Sequence, residues 1–266
     1  MSGFFRTLGH RLYTTWCVAW FLIPFLLTWP LQLLLSSFRA GRPWLHALNR
    51  AWASFQLRMY FTPVEVRGEP HPAAVRGQAV IFCANHSSYI DIPVLFDAIP
   101  GFPNIIGKAA LAKVPLWGWL FRSTYITVDR QSAVSRGRSV VESTRSLRAG
   151  RDLIIFPEGS IGKQPGRVLL PFKDGAMRLA IELQVPIVPV TMPYNHRFFP
   201  DLGGRLRLRR HRFLTIFHPP ILTTGMTLDD VPALRERVRA AIASGLDPAS
   251  EPADSPFAAA PESVNT

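Results

Sequence analysis

Apolar positions fall into runs whose length and period change along the chain. From Leu12 to Phe38 no charged residue occurs, and Arg11 and Arg39 close this run of 27 residues on either side. Roughly 20 apolar residues span a bilayer as a helix, so the run is long enough. Pro24 and Pro30 lie inside it, and an internal proline removes a helix hydrogen bond and clashes with the preceding turn. Split at Pro24, the first half reaches only about 18 Å, short of the ~30 Å hydrocarbon core. The pattern therefore predicts a membrane-associated helical hairpin entering one leaflet and returning, with Trp16, Trp20, Trp29 and Trp44 near the interface. A secretory signal peptide is the rival reading, on Arg6 and Arg11 ahead of the apolar stretch. The run is long for that role, and Ser36-Ser37-Phe38 is not a small-x-small cleavage site.

Further along, the runs shorten. Trp44 to Tyr60 predicts an amphipathic helix with Leu45, Leu48, Trp52, Phe55 and Met59 on its apolar side. A short strand at 63–68 and apolar or alternating runs near 79–84, 124–128, 152–156, 186–191 and 213–217 read as strands. Between them, 132–149, carrying Val134, Val140, Val141 and Leu147 and packed between two strands, 176–183 and 229–244 read as helices. The alternation predicts an α/β fold, a mixed sheet flanked by helices. Three regions result: residues 1–60 as the membrane-associated part, 61–246 as the α/β domain, and 247–266 as a disordered tail rich in Pro, Ala, Ser and acid.

Charge narrows the partners. Thirty basic residues against 18 acidic ones give a net charge of +12, which favours anionic partners. Arg205 to Arg212 packs five arginines into eight residues, partly alternating with leucine. As a strand it would carry a basic face and a leucine face. No nucleic-acid-binding module accompanies it, so nucleic acid is not expected. An anionic membrane surface suits it better, at ~1 kcal/mol per basic side chain. Cys17 and Cys83 are the only cysteines, too few for a disulfide framework and consistent with a reducing compartment.

The candidate chemistry starts directly behind the run Ala79–Ala84, at Asn85-His-Ser-Ser-Tyr-Ile-Asp91. On an ideal helix five residues turn through about 500°, leaving His86 and Asp91 roughly 140° apart. They meet only if the segment bends out of helix, as a strand-to-helix loop does. A carboxylate would then fix the imidazole tautomer and leave the other nitrogen to take a proton from a hydroxyl. Taken alone, the string serves equally well as a turn and helix cap, with Asn85, Ser87 and Ser88 bonding free backbone N–H groups.

Later segments give it company: Ile126-Thr-Val-Asp-Arg130, Phe156-Pro-Glu-Gly-Ser160, Pro171-Phe-Lys-Asp-Gly-Ala176 and Val185-Pro-Ile-Val-Pro-Val190. In this order and spacing the set resembles the 1-acylglycerol-3-phosphate acyltransferases, the glycerophospholipid acyltransferase family with the H-x4-D signature. The resemblance implies that His86 is the general base, Asp91 its orienting partner, and Lys108, Arg130, Glu158, Gly159 and Ser160 the acceptor-binding set. It implies transfer from acyl-CoA or acyl carrier protein to a lysophospholipid with no further cofactor and no metal. It also implies an inner-membrane location, with the catalytic domain on the cytoplasmic side. Two departures stand out: Ile161 where the family commonly has arginine, and Ala110 in place of a glutamate. They leave open another acceptor, such as a lyso-ornithine lipid. A non-catalytic lipid-binding protein and a metal-dependent hydrolase are the readings from other classes.

Overall fold

The computed structural model describes residues 2–162, 166, 168–200 and 206–246. The 247–266 tail, Arg205 and Lys163 lie outside the described residues. Helix α1 (Ser2–Ser36) and helix α2 (Arg42–Met59) pack side by side. After them come β1 (Val64–Arg67), β2 (Ile81–Ala84), α3 (Asp91–Ala98), β3 (Asn104–Lys108), α4 (Trp117–Thr124), β4 (Ile126–Val128) and α5 (Ala133–Arg148). The remainder is β5 (Leu153–Ile155), α6 (Gly175–Leu183), β6 (Ile187–Thr191), α7 (Asn195–Phe198), β7 (Phe213–Phe217) and α8 (Val231–Leu246).

The seven strands form one mixed sheet in the order β1-β7-β6-β2-β5-β3-β4. Strands β6, β2, β5, β3 and β4 run parallel, and β7 turns antiparallel against β6. The central strands are short and buried on both faces, as all of Ile81–Ala84 and Ile187–Thr191 are. That is why they read as continuous apolar runs, not as alternating ones. One core, with Phe82, Val94, Leu95 and Phe213, faces α2 and α3; the other, with Ile81, Cys83, Met177 and Ile242, faces α6 and α8.

Four expectations need correction. The chain does not break at Pro24: α1 runs through Pro24 and Pro30 to Ser36, and the reversal comes at 37–41, so α1 and α2 form the hairpin. Packing offsets the local cost of the prolines, since Phe25 is buried and its ring packs at a tilt against Trp52 and Trp117. In α2 the face turned to the domain carries His46, Asn49, Ala53 and Gln56 beside Leu45 and Leu57, while Trp52 and Phe55 meet the rings of α1. The predicted apolar side of that helix is therefore rotated. In α5 the buried face is Ser139, Ser143, Ser146 and Leu147, with Val134, Val140 and Val141 exposed. Serines fit there because their small side chains let the helix lie close to the sheet edge. The Ser139 hydroxyl donates to the Arg136 carbonyl and the Ser146 hydroxyl accepts from the Asn104 amide, while Ser143 Oγ is buried without a partner among the described residues. Finally, residues 206–212 form no strand. They lie over α1 and α7, with the Leu208 N–H on Thr14 and the Arg209 N–H on the Phe198 carbonyl, and Arg212 is buried against Tyr194.

Candidate active site

Parallel strands collect their following loops at one edge, the usual place for a ligand in an α/β sheet. His86 follows β2, Lys108 ends β3, Arg130 follows β4 and Glu158 follows β5. Four of the candidate segments are thus brought to the C-terminal edge of adjacent strands.

Asn85 to Ile90 is not helical, and α3 begins at Asp91. This bend lets two side chains five residues apart meet: His86 Nδ1 lies 2.9 Å from Asp91 Oδ2. The same oxygen accepts the N–H groups of Ser87 at 2.8 Å and Ser88 at 2.9 Å. The other, Oδ1, accepts the Asn195 amide at 2.8 Å. Asp91 is fully buried, and these donors satisfy a carboxylate that burial would otherwise penalise heavily. With Oδ2 acting only as acceptor, the shared proton sits on Nδ1, and Nε2 presents a lone pair. The imidazole stacks on Phe156, centroids 4.1 Å apart and planes 17° from parallel, so the ring cannot tilt away.

Glu158 supports the loop from beneath. Its Oε1 accepts the His86 N–H and its Oε2 the Leu170 N–H, each at 2.8 Å. The side chain is buried, which pushes its carboxyl above the usual range against the pull of these two bonds and of His86. Glu158 therefore joins the loop carrying the imidazole to the segment after the Pro-Glu-Gly turn. Gly159 has φ +77°, and a Cβ there would lie 3.0 Å from Lys173 Nζ. Only glycine takes that backbone without strain and lets the ammonium lie over the turn. Ser160 is exposed at the end of the same turn.

Lys108 and Arg130 line a separate cavity of about 420 Å³ at the ends of β3 and β4, together with Lys113, Ala110 and Asp129. Three cations face one carboxylate across it. Ala110 occupies the wall where the resembling family has a glutamate, so no second carboxylate offsets them. Partial burial lowers the Arg130 pKa, a sign that its charge is incompletely solvated.

An apolar cavity of about 400 Å³ opens beside the histidine loop. Tyr89 and Ile90 form its wall there, and Val18 and Phe21 of α1, Ala53 of α2 and Phe121 of α4 continue it. Sequence reasoning missed Asn195 and Phe156 as partners of the Asp91–His86 pair. Phe156 reads in the sequence as the last residue of an apolar strand before a turn, and Asn195, 104 residues from Asp91, carries no local signal. The sequence places Lys173 in the Pro171–Ala176 motif ahead of a helix and gives Lys113 no role.

Comparison with known proteins places these features. The acyltransferase family model matches residues 63–193, the span that contains His86, Asp91, Lys108, Arg130, Glu158, Gly159 and Ser160. A 1-acyl-sn-glycerol-3-phosphate acyltransferase of Limnanthes alba is 30% identical over 217 residues, covering 80% of this chain and 72% of that protein. The chain belongs to the acyltransferase family. Among its relatives is the human 1-acyl-sn-glycerol-3-phosphate acyltransferase alpha, 33% identical over 189 residues and 68% of this chain. The match spans only 62% of the length of that human protein. The crystal structure of the 1-acyl-sn-glycerophosphate (LPA) acyltransferase PlsC from Thermotoga maritima shares the fold. Its TM-score is 0.74 at 21% identity, over 93% of this chain and 98% of that one.

Proposed function

We propose that this chain moves a fatty acyl group from acyl-CoA or acyl carrier protein to the free hydroxyl of 1-acylglycerol-3-phosphate, giving phosphatidate for phospholipid biosynthesis. The observation that carries this reading is the His86–Asp91 contact of 2.9 Å at the strand edge. The acceptor hydroxyl gives its proton to His86 Nε2 as its oxygen attacks the thioester carbonyl carbon. The C–S bond then breaks, and the imidazolium returns the proton to the departing thiolate. Asp91 stabilises the imidazolium without leaving its place, held by two backbone N–H groups and Asn195. A thioester needs no covalent enzyme intermediate, and none is invoked.

The acceptor phosphate is assigned to the cavity of Lys108, Lys113 and Arg130, where a guanidinium fork and two ammonium groups meet a dianion. This also favours lysophosphatidate over a zwitterionic acceptor, because Ala110 leaves that cavity positive. An acyl chain fits the apolar cavity, each buried methylene contributing about 0.8 kcal/mol.

Helix α1 supplies the membrane attachment in this reading. Its Thr7–Ser36 portion is long and apolar enough to cross a bilayer, and Leu12, Leu26, Leu27, Leu31 and Leu34 are exposed along it. We place it in the inner membrane with the α/β domain on the cytoplasmic side, where thioester donors are made. A product with two chains would then pass from the apolar cavity into the leaflet without crossing water. The test is acyl transfer by the purified protein in lipid vesicles supplied with lysophosphatidate and either donor, read by mass spectrometry. Phosphatidate is expected; its absence with both donors would contradict the proposal.

A further inference from the structure

A second basic cavity lies at the opposite end of the sheet. It has a volume of about 390 Å³ and is lined by Arg42, Arg122, Arg145 and Arg151 with Glu142. Asn104, which opens β3, and Ile126, which opens β4, also border it. It therefore sits at the N-terminal ends of the strands whose C-terminal ends carry Lys108 and Arg130. The two basic cavities cannot share one ligand group.

Four guanidinium groups around one carboxylate repel one another unless an anion joins them. Here the chain supplies no relief. Among the described residues, Arg42, Arg122 and Arg145 form no ion pair, and Glu142 forms none with any of them. Arg151 is held flat, its Cζ 3.9 Å over the Phe102 ring and its Nε on the Phe102 carbonyl at 3.4 Å. Its Nη2 is buried and lacks an acceptor. Burial and the nearby Arg42 charge both lower its pKa, in keeping with a cation short of counter-charge.

We propose that this cavity is a second anion site, separate from the catalytic edge, that takes a phosphate group. Planar guanidinium forks are the side chains best matched to phosphate oxygens. The source is argued from what adjoins the cavity. Arg42 opens α2 directly after the turn from α1, and Phe38 and Trp44 flank it with 46% and 71% of their surface exposed. Exposed aromatics beside arginine at the end of a long apolar helix mark a lipid interface. The phosphate of an anionic lipid headgroup is thus the fitting occupant, and free phosphate is the alternative source. Only this choice of source rests on the membrane reading above.

The experiment uses the full chain purified in detergent, with binding and melting as readouts, so inactivity toward lysophosphatidate would not affect its outcome. Flotation compares phosphatidylcholine vesicles with vesicles of phosphatidylcholine and phosphatidylglycerol at about 4:1. The wild type is expected to bind the anionic vesicles roughly 100-fold tighter, and Arg122→Gln/Arg145→Gln to lose about 30-fold of that gain. Arg237→Gln/Arg239→Gln, which removes the same charge from exposed positions of α8, is expected to keep it. Melting without ligand checks that both variants are folded. A rise in Tm with inorganic phosphate that depends on Arg122 and Arg145, without vesicle selectivity, would assign the site to free phosphate. Equal losses in the two double variants, or no response of either readout to Arg122 and Arg145, would overturn the proposal.

Discussion

Asn195 and Asp91, 104 residues apart in the chain, are joined by a hydrogen bond of 2.8 Å from the amide of α7 to the carboxylate at the start of α3. Neither residue is accessible to solvent. The amide occupies the one carboxylate oxygen that the histidine loop leaves unused, so the orientation of His86 depends on a helix that packs after β6.

Replacing Asn195 with alanine leaves a buried carboxylate oxygen without its donor. Partners of this kind that orient a working side chain are typically worth 10–100-fold. Asn195→Ala should therefore lower kcat by about that factor with little change in KM. Asn195→Asp places a second carboxyl against the first and should cost more. Steady-state kinetics with circular dichroism as a folding control would check this, and an unchanged kcat in Asn195→Ala would refute it.

Glu158 bridges two backbone N–H groups, so its isosteric amide is an informative change. In Glu158→Gln either rotamer turns an NH2 toward an N–H group. A lost hydrogen bond with a buried unpaired donor costs about 1–3 kcal/mol. The variant should melt at lower temperature and turn over more slowly, while KM for the acceptor stays near that of the wild type. A change confined to acceptor KM would mean that Glu158 touches substrate.

Charge in the Lys108 cavity should govern the acceptor, not the chemistry. Lys108→Met and Arg130→Met are each expected to raise KM for lysophosphatidate by about 10-fold or more, since a charge-assisted hydrogen bond contributes roughly 1.5–3 kcal/mol. The KM for the thioester donor should be unchanged. Titrating each substrate separately at saturating levels of the other distinguishes the two.

The pH response has a structural source outside the site. His46 is buried beneath Phe102 and Phe96, its Nε2 bonded to the Pro103 carbonyl, and burial lowers its pKa to about 3. Its folded pKa lies below the unfolded value near 6.5, so the neutral ring contributes stability above pH ~6.5 that is lost as pH falls toward 3. Thermal melts between pH 7 and 4.5 should show a steeper decline for the wild type than for His46→Gln, which offers a donor to Pro103 but does not titrate. Parallel declines would refute this role for His46.

Much of this was legible from the chain because β2, β5 and β6 are buried on both faces and their loops carry polar strings. The runs before His86, Glu158 and Thr191 read as strands for that reason, and the strand-to-loop exits located the site. β3 is not predicted as a strand: Asn104-Ile-Ile-Gly-Lys108 is short and ends in Gly-Lys, and the family resemblance begins only at its last two residues, Gly107 and Lys108. The unbroken α1 could not be read from Pro24, because the contacts that offset the proline come from Trp52 and Trp117 in other elements. The polar inner face of α2 and the serine face of α5 likewise depend on neighbours that no local period records.

The most direct measurement sets lysophosphatidate and lyso-ornithine lipid in competition in vesicles with an acyl thioester, comparing the wild type and His86→Ala by mass spectrometry. The account predicts phosphatidate as the favoured product of the wild type. It also predicts a fall of at least about 100-fold in His86→Ala, since a general base contributes roughly 10²–10⁴-fold. Phosphatidate formed at an undiminished rate by His86→Ala would contradict the assigned base, and preferential acylation of the phosphate-free acceptor would contradict the Lys108 cavity as the acceptor's phosphate site.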